Sequence, residues 1–164
     1  LTTGYRRSSP LTTAGAYVRA SAHNAVYSSG YLGGPNYFYE LTLHDLDLDV
    51  TQILTSEARV FTAPVDASLV AYATQRYNPD EPPYDFELYD IELGTTRRLT
   101  AEPSWGYHVD ALRYPWLLFW VNRGQREYAV YLAHLEILGV VDAQGRGIPG
   151  DTGPILLPDP DGPP

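Results

Sequence analysis

The same short pattern of residues returns along this chain at intervals of 43 to 45 residues. A Leu-Thr pair stands at positions 11–12, 54–55 and 99–100. The similar segments LHDLDL (43–48) and LYDIEL (88–93) precede the second and third pairs, and LAHLEI (132–137) follows them. A repeat of this length usually corresponds to one supersecondary unit that stacks on its neighbours. The repeat therefore constrains the architecture more strongly than any other feature of the sequence.

A second element recurs between these segments, namely a short apolar run that ends on an aromatic residue. The three runs end at Tyr27, Tyr72 and Trp120, and we expect these side chains to be buried at equivalent positions. Apolar runs bounded by turn residues predict buried strands, whereas the repeated segments alternate polar and apolar residues, as half-buried strands do. Further strand candidates precede the runs at 16–20, 59–63 and 106–110.

Each unit thus supplies four strands, and a repeat of about 40–50 residues made of short strands is typical of propeller blades. The sequence predicts an all-β fold of three four-stranded antiparallel propeller-type blades. The predicted units are 13–55, 56–100 and 101–139, with 5–12 as a closing outer strand and 140–164 as an extended tail rich in Pro and Gly. Breaker-rich segments at 30–36, 78–84 and 122–125 are predicted to join the second and third strands on one rim.

Composition excludes several classes of function. At 164 residues and 44% hydrophobic content the chain can bury the core of one domain. Its net charge of −9 argues against nucleic acid, whose binding depends on neutralising phosphates. Cysteine is absent, and no apolar run reaches the length of a membrane span. The chain starts at Leu1, which favours either a processed exported protein (secreted, cell-surface or periplasmic) or a fragment.

The units resemble the TolB-like, WD40-like propeller repeats of exported proteins. The best copy is DFELYDIELG (85–94), which TTRRLT (95–100) follows, and the aromatic strand with its turn is matched by LLFW (117–120) and NRG (122–124). The resemblance covers about residues 5 to 139. It implies a module that binds proteins, peptides or glycans, or that stands beside a hydrolase, with no shared catalytic residues. The chain departs from the family in number, because closed propellers typically have four to eight blades.

No catalytic, cofactor or metal motif appears, so the sequence predicts no enzyme activity, no cofactor and no metal site. The four histidines form neither a His-x-His pair nor a His-Glu-x-x-His motif, and no Gly-x-Ser-x-Gly elbow or phosphate loop occurs. Asp45, Asp47 and Asp49 could suggest calcium, but their spacing is also that of a half-exposed strand. The tail segment 142–151 is similar to calcium-binding thrombospondin type 3 repeats, although Gln144, Arg146 and Gly150 stand where carboxylates are expected.

Two groups of residues are candidates for interaction. Aromatic side chains in loops or at strand ends can stack on sugars or anchor a partner, unless they are buried between the blades. These rim candidates are Tyr31, Tyr37, Tyr84 and Tyr107. The second group belongs to the two terminal strands, which we expect to pair between copies of the chain. Its members are Tyr5, Leu11 and Thr12 of the first strand, and Tyr131 and Leu135 of the last.

Two functions from different classes remain open at this point. The first is a non-catalytic extracellular module that self-assembles through incomplete blades into a ring or a filament, with itself or another protein chain as partner. The second is a glycan- or peptide-binding propeller module of a secreted hydrolase.

Overall fold

The chain forms eleven β-strands and no helix in the residues that the computed structural model describes, namely 18–32, 38–58, 63–75, 84–99, 107–124 and 127–136. The strands are β1 (Val18–Ala20), β2 (Asn24–Leu32), β3 (Phe38–Asp45), β4 (Val50–Ala58), β5 (Val65–Asp66), β6 (Leu69–Gln75), β7 (Tyr84–Asp90), β8 (Thr95–Arg98), β9 (Tyr107–Arg113), β10 (Trp116–Gly124) and β11 (Glu127–His134). The predicted closing strand at 5–12 and the tail at 140–164 lie outside these ranges.

The strands pair antiparallel, in chain order, into three sheets of four, four and three strands, none of them closed. Sheet I contains β1 to β4, sheet II contains β5 to β8, and sheet III contains β9 to β11. Within the described ranges, sheets I and II are joined edge to edge by the single residue pair Ala58 and Thr74. The predicted all-β class and the succession of antiparallel units are therefore confirmed in the described part of the chain.

One backbone hydrogen bond recurs in all three sheets. The residue that follows the third strand donates its N–H to the carbonyl of the last residue in the turn between the first two strands. The three bonds are Leu46 to His23 (2.8 Å), Ile91 to Ser68 (2.7 Å) and Leu135 to Pro115 (2.9 Å). The donors are separated by 45 and 44 residues, so the sequence repeat corresponds to a repeat of structure.

The core lies between the sheets, in two layers. The layer between sheets I and II contains Val26, Leu41, Leu43, Ala63, Val65, Val70, Tyr72 and Tyr89. The layer between sheets II and III contains Leu69, Ala71, Phe86, Leu88, Leu99, Val109, Leu112, Leu117, Phe119 and Leu135. Since successive side chains of a strand point to opposite faces, β6 contributes Val70 and Tyr72 to one layer and Leu69 and Ala71 to the other. Sheet II is thus covered on both faces.

The structure corrects the expected position of the buried aromatic in sheet III. Tyr27 and Tyr72 each lie three residues after the start of the second strand, and both are buried as expected. In β10 that position holds Phe119, which is fully buried, whereas Trp120 is only partly buried. A shift of one residue moves a side chain to the other face of a sheet, so Trp120 lies on the face of sheet III opposite to that of Phe119 and cannot be the equivalent of Tyr72.

The alternating segments are shorter strands than the sequence predicts. β3 ends at Asp45 and β7 at Asp90, and turns occupy 46–49 and 91–94. The carboxylate Oδ1 of Asp45 accepts the N–H groups of Asp47 and Leu48, both at 2.9 Å, and Asp90 Oδ1 accepts that of Leu93 at 2.9 Å. The aspartate side chain is short enough to accept hydrogen bonds from the amides of the following turn. The strand therefore ends at the aspartate, although the alternation of polar and apolar residues continues beyond it.

The predicted first strand of sheet II is also displaced. The sequence predicts it at 59–63, but the observed strand is β5, Val65–Asp66. Ala63 is described outside any strand, and residues 59–62 lie outside the described ranges. Because β5 forms a tight hairpin with β6, in which Val65 pairs with Val70, the turn at 67–68 decides where this strand lies.

Candidate functional site

The first strands of the three sheets surround an open cleft of about 550 Å³, which we call the inner cleft. The sheets contribute to it in equivalent ways, each with the residues just before or within its first hairpin turn. The lining consists of Arg19, Ala20, Ser21, Ala22, Pro64, Val65, Asp66, Asp110, Ala111, Leu112 and Arg113. The repeat itself therefore builds this cleft, because it brings three hairpins to one end of the stack.

Charges of both signs line this inner cleft. Arg19 and Arg113 are exposed, Asp66 lies on β5, and Asp110 lies on β9 together with Arg113. Asp66 Oδ2 accepts the backbone N–H of Tyr114 at 2.8 Å, which ties sheet II to the hairpin of sheet III. Asp110 Oδ1 lies 3.0 Å from His108 Nε2. Two guanidinium groups and two carboxylates suit a polar ligand that carries both donors and acceptors.

A second surface lies on sheet III, on the side turned away from sheet II. We call it the outer face of sheet III, and its large apolar side chains are 45% to 72% exposed at Trp116, Tyr128, Val130 and Leu132. Leu118 and Trp120 lie between them and are partly buried. Contiguous exposed apolar patches of this kind mark interaction sites on soluble proteins.

Aromatic contacts order this outer face. The indole of Trp120 stacks on the His108 ring, with centroids 4.8 Å apart and planes 14° apart. Tyr128 meets the same indole edge-on at 5.2 Å, and Trp116 meets His134 edge-on at 4.6 Å. Rings held by their neighbours lose little side-chain entropy when a partner covers them, so the face is preorganised for contact.

Each aspartate of the 45–49 segment has its own partner. Asp45 caps the turn, Asp47 Oδ2 lies 2.7 Å from His23 Nδ1, and Asp49 Oδ1 lies 3.0 Å from His44 Nε2. The three carboxylates therefore do not converge on one point, which disfavours the calcium interpretation. Among the described residues no group of three or more potential ligands could hold a metal ion. The tail segment 142–151 lies outside the described ranges.

The predicted rim aromatics are placed only by their backbone positions. Tyr31 lies near the end of β2, Tyr84 begins β7, and Tyr107 begins β9. All three positions are at the end of the sheets opposite the inner cleft, where the second and third strands are connected. Tyr37 lies outside the described residues. A binding role for these four residues stays a prediction.

The predicted assembly residues fall into two groups. Tyr5, Leu11 and Thr12 lie outside the described ranges. Tyr131 stacks on Phe119 with ring centroids 5.0 Å apart, and Leu135 is fully buried in the layer between sheets II and III. Both side chains belong to the core, so any role of theirs in pairing between copies would involve the backbone. That role also stays a prediction.

Sequence reasoning missed the two surfaces that the structure makes most prominent. The inner cleft has no motif, since its charged residues come from three distant segments. The sequence of β11 does indicate the outer face of sheet III, because this strand is apolar on both of its faces. On it, Tyr128, Val130 and Leu132 alternate with Ala129, Tyr131 and Ala133. A strand that is apolar on both faces predicts that both are covered.

Comparisons with family models, with curated proteins and with solved structures found no match to this chain. Within the described ranges there is no helix with the length and apolar character that crossing a membrane requires.

Proposed function

We propose that the three sheets are propeller-type blades, and that the chain is a non-catalytic extracellular module that assembles with further copies of itself. The resemblance to TolB-like repeats supports the blade assignment and the location, and the recurring backbone hydrogen bond supports the equivalence of the units. The exposed outer face of sheet III carries the proposal of assembly, because a folded domain rarely leaves several large apolar side chains on one face in water.

The number of strands adds a second argument. Sheets I and II have four strands, whereas sheet III has three within the described residues. Residues 5–12, which contain Tyr5, Leu11 and Thr12, would supply the fourth strand of sheet III in another copy by pairing along β11. Two copies would then form a ring of six blades, and a rotation that does not close would form a filament.

The mass of the chain in solution tests this function. Light scattering after size exclusion, over the micromolar range, is expected to give at least twice the 18.3 kDa of one chain. Removal of residues 1–12 should return the particle to the mass of a single chain with its β-rich circular dichroism unchanged. A parent chain that stays a folded monomer over that range would refute the proposal.

The inner cleft supports the alternative, a glycan- or peptide-binding module of a secreted hydrolase. Its two arginines and two aspartates offer donors and acceptors in one open site. In that case the isolated chain should bind members of a glycan array or a peptide library. A double substitution, Arg19→Ala with Arg113→Ala, should abolish the binding, since both guanidinium groups are exposed and can be removed without disturbing the core. Binding that survives this change would exclude the cleft as the site.

A further inference from the structure

We infer that the outer face of sheet III is covered by sheet I of a second copy, so that the stack of sheets continues head to tail from one chain to the next. The inference rests on the proposed self-assembly and names the two surfaces that meet. It concerns the faces of the sheets, whereas strand exchange by residues 5–12 concerns their edges, and the assembly needs both contacts.

The strand register shows that the outer face of sheet III is equivalent to two other faces in the chain. These are the faces through which sheet I contacts sheet II and sheet II contacts sheet III. Leu41, Phe86 and Val130 occupy one position in the third strand of their sheets, opposite Ser28, Ala73 and Trp120. Leu41 is 1% exposed because it packs against sheet II, and Phe86 is 0% exposed because it packs against sheet III. Val130 is 72% exposed.

The next position on the same face repeats this pattern. Leu43, Leu88 and Leu132 lie opposite Val26, Ala71 and Leu118 in their respective sheets. Leu43 and Leu88 are buried in the two core layers, whereas Leu132 is exposed. Sheets I and II therefore use this face to contact the sheet that follows, and sheet III presents the same face with no sheet of the described chain against it.

Sheet I presents the complementary surface, which we call the outer face of sheet I. In sheets II and III the side that receives the preceding sheet carries Tyr72 and Phe119, and Tyr27 holds the same position in sheet I. Tyr27 pairs with Val18 and Thr42, and Thr42 pairs with Ile53, so all four side chains lie on one face. Tyr27 and Thr42 are buried within the chain, while Val18 and Ile53 are 39% and 57% exposed.

Continuity with the two contacts inside the chain points to a second copy as the occupant. The face of sheet III matches in register the faces that already bind a sheet of this type. Within the described ranges, the receiving face that has no sheet packed against it is on sheet I. Exposed apolar side chains stand on both faces, at Val130 and Leu132 on sheet III and at Val18 and Ile53 on sheet I. Head-to-tail contacts of this kind close into a ring or extend into a filament.

Charge substitutions on each face test the inference. Val130→Glu and Ile53→Glu alter exposed side chains on the two proposed faces, and Leu93→Glu is the matched control in an exposed turn of sheet II. Each face variant alone should lose the assembled species in sedimentation velocity, whereas the control should keep it. An equimolar mixture of the two face variants should recover a two-chain particle, because one copy retains an intact sheet III face and the other an intact sheet I face.

Each outcome separates this inference from the proposed function. If the parent chain assembles and Val130→Glu assembles equally well, the inference is wrong while self-assembly stands. If Ile53→Glu has no effect and Val130→Glu abolishes assembly, two sheet III faces meet each other and the head-to-tail arrangement is overturned. If the parent is monomeric, both fail. Circular dichroism and thermal midpoints equal to those of the control would show that loss of assembly is not loss of folding.

Discussion

Phe119 packs between two other rings, where its centroid lies 4.9 Å from that of Phe86 and 5.0 Å from that of Tyr131. Its neighbour Trp120 points to the opposite face of sheet III and stays partly exposed. Tyr72, at the matching position in sheet II, is buried, and its hydroxyl lies 3.5 Å from Thr96 Oγ1. Phe119 and its neighbour Trp120 thus have very different surroundings, although both are large aromatic residues of one strand.

Replacing Phe119 with alanine should lower the free energy of unfolding by about 3–5 kcal/mol, because the substitution leaves a cavity in a fully buried layer. Trp120→Ala should cost clearly less, although it removes a larger side chain, since water already reaches part of the indole. Urea titration of both variants measures the difference. A larger loss for Trp120→Ala would contradict the register described for β10.

Burial, and next the charge of Glu87, raise the pKa of the Tyr72 phenol far above its ordinary value. The unfolded chain therefore loses this proton first, near pH 10. The contribution of Tyr72 to stability is complete below that pH and falls as the pH rises toward the folded-state pKa. Tyr72→Phe should reduce the decline in urea midpoint between neutral pH and about pH 11. An unchanged decline in the Tyr72→Phe variant would contradict this account.

The turn after the third strand is the element that the repeat preserves best. In sheets I and II an aspartate ends the strand and accepts turn amides, and the last turn residue, Asp49 or Gly94, adopts a positive φ of 57° or 65°. Asp49 and Gly94 also donate their N–H groups to the carbonyls of Asp45 and Asp90, at 3.0 and 2.9 Å. The same local geometry is thus reached with two different residues.

Gly94→Ala should lower the free energy of unfolding by about 1–2 kcal/mol, the cost of a left-handed conformation for a residue with a Cβ. Crowding would add nothing, since the nearest atom to that Cβ, Tyr89 Oη, is 3.9 Å away. Gly94→Asn should cost less, because Asn tolerates positive φ. Equal losses for the two variants, measured by thermal or urea unfolding, would show that φ is not the cause.

At the scale of the whole molecule, sheet II is the only one of the three described sheets with a core layer on both faces. In β6 every residue from Leu69 to Thr74 is buried. Sheets I and III each bury one face against it, and the exposed side chains lie on their other faces and on the turns. Stability should therefore be highest at the centre of the stack and decrease toward both ends.

Amide hydrogen exchange tests this gradient. The amides of β6 should exchange most slowly, and those of β4 and β11, at the edges of the first and last sheets, should exchange faster because local opening exposes them at lower cost. The measurement is best made at a concentration where the chain is monomeric, since assembly would protect β11. Slower exchange in β11 than in β6 under that condition would contradict the proposed order of stability.

Much of the fold could be predicted from the sequence, because its strongest signals are local. The apolar run from Leu69 to Ala73 and its turn residues specify β6, and the repeat predicted the similar strands β2 and β10. The candidate surfaces could not be predicted in the same way. Arg19, Asp66 and Arg113 come from three segments and meet only because three hairpins stack at one end.

The sequence by itself determined an all-β chain with three successive antiparallel units, since strand propensity, turn chemistry and the spacing of the repeat are properties of neighbouring residues. Only the tertiary structure decided which aromatic of β10 enters the core, where the repeated segments turn, and which apolar face stays in water. A strand with period-2 alternation has two faces, and the pattern alone does not say what covers each of them. That choice depends on how the sheets stack, through contacts between residues far apart in the chain.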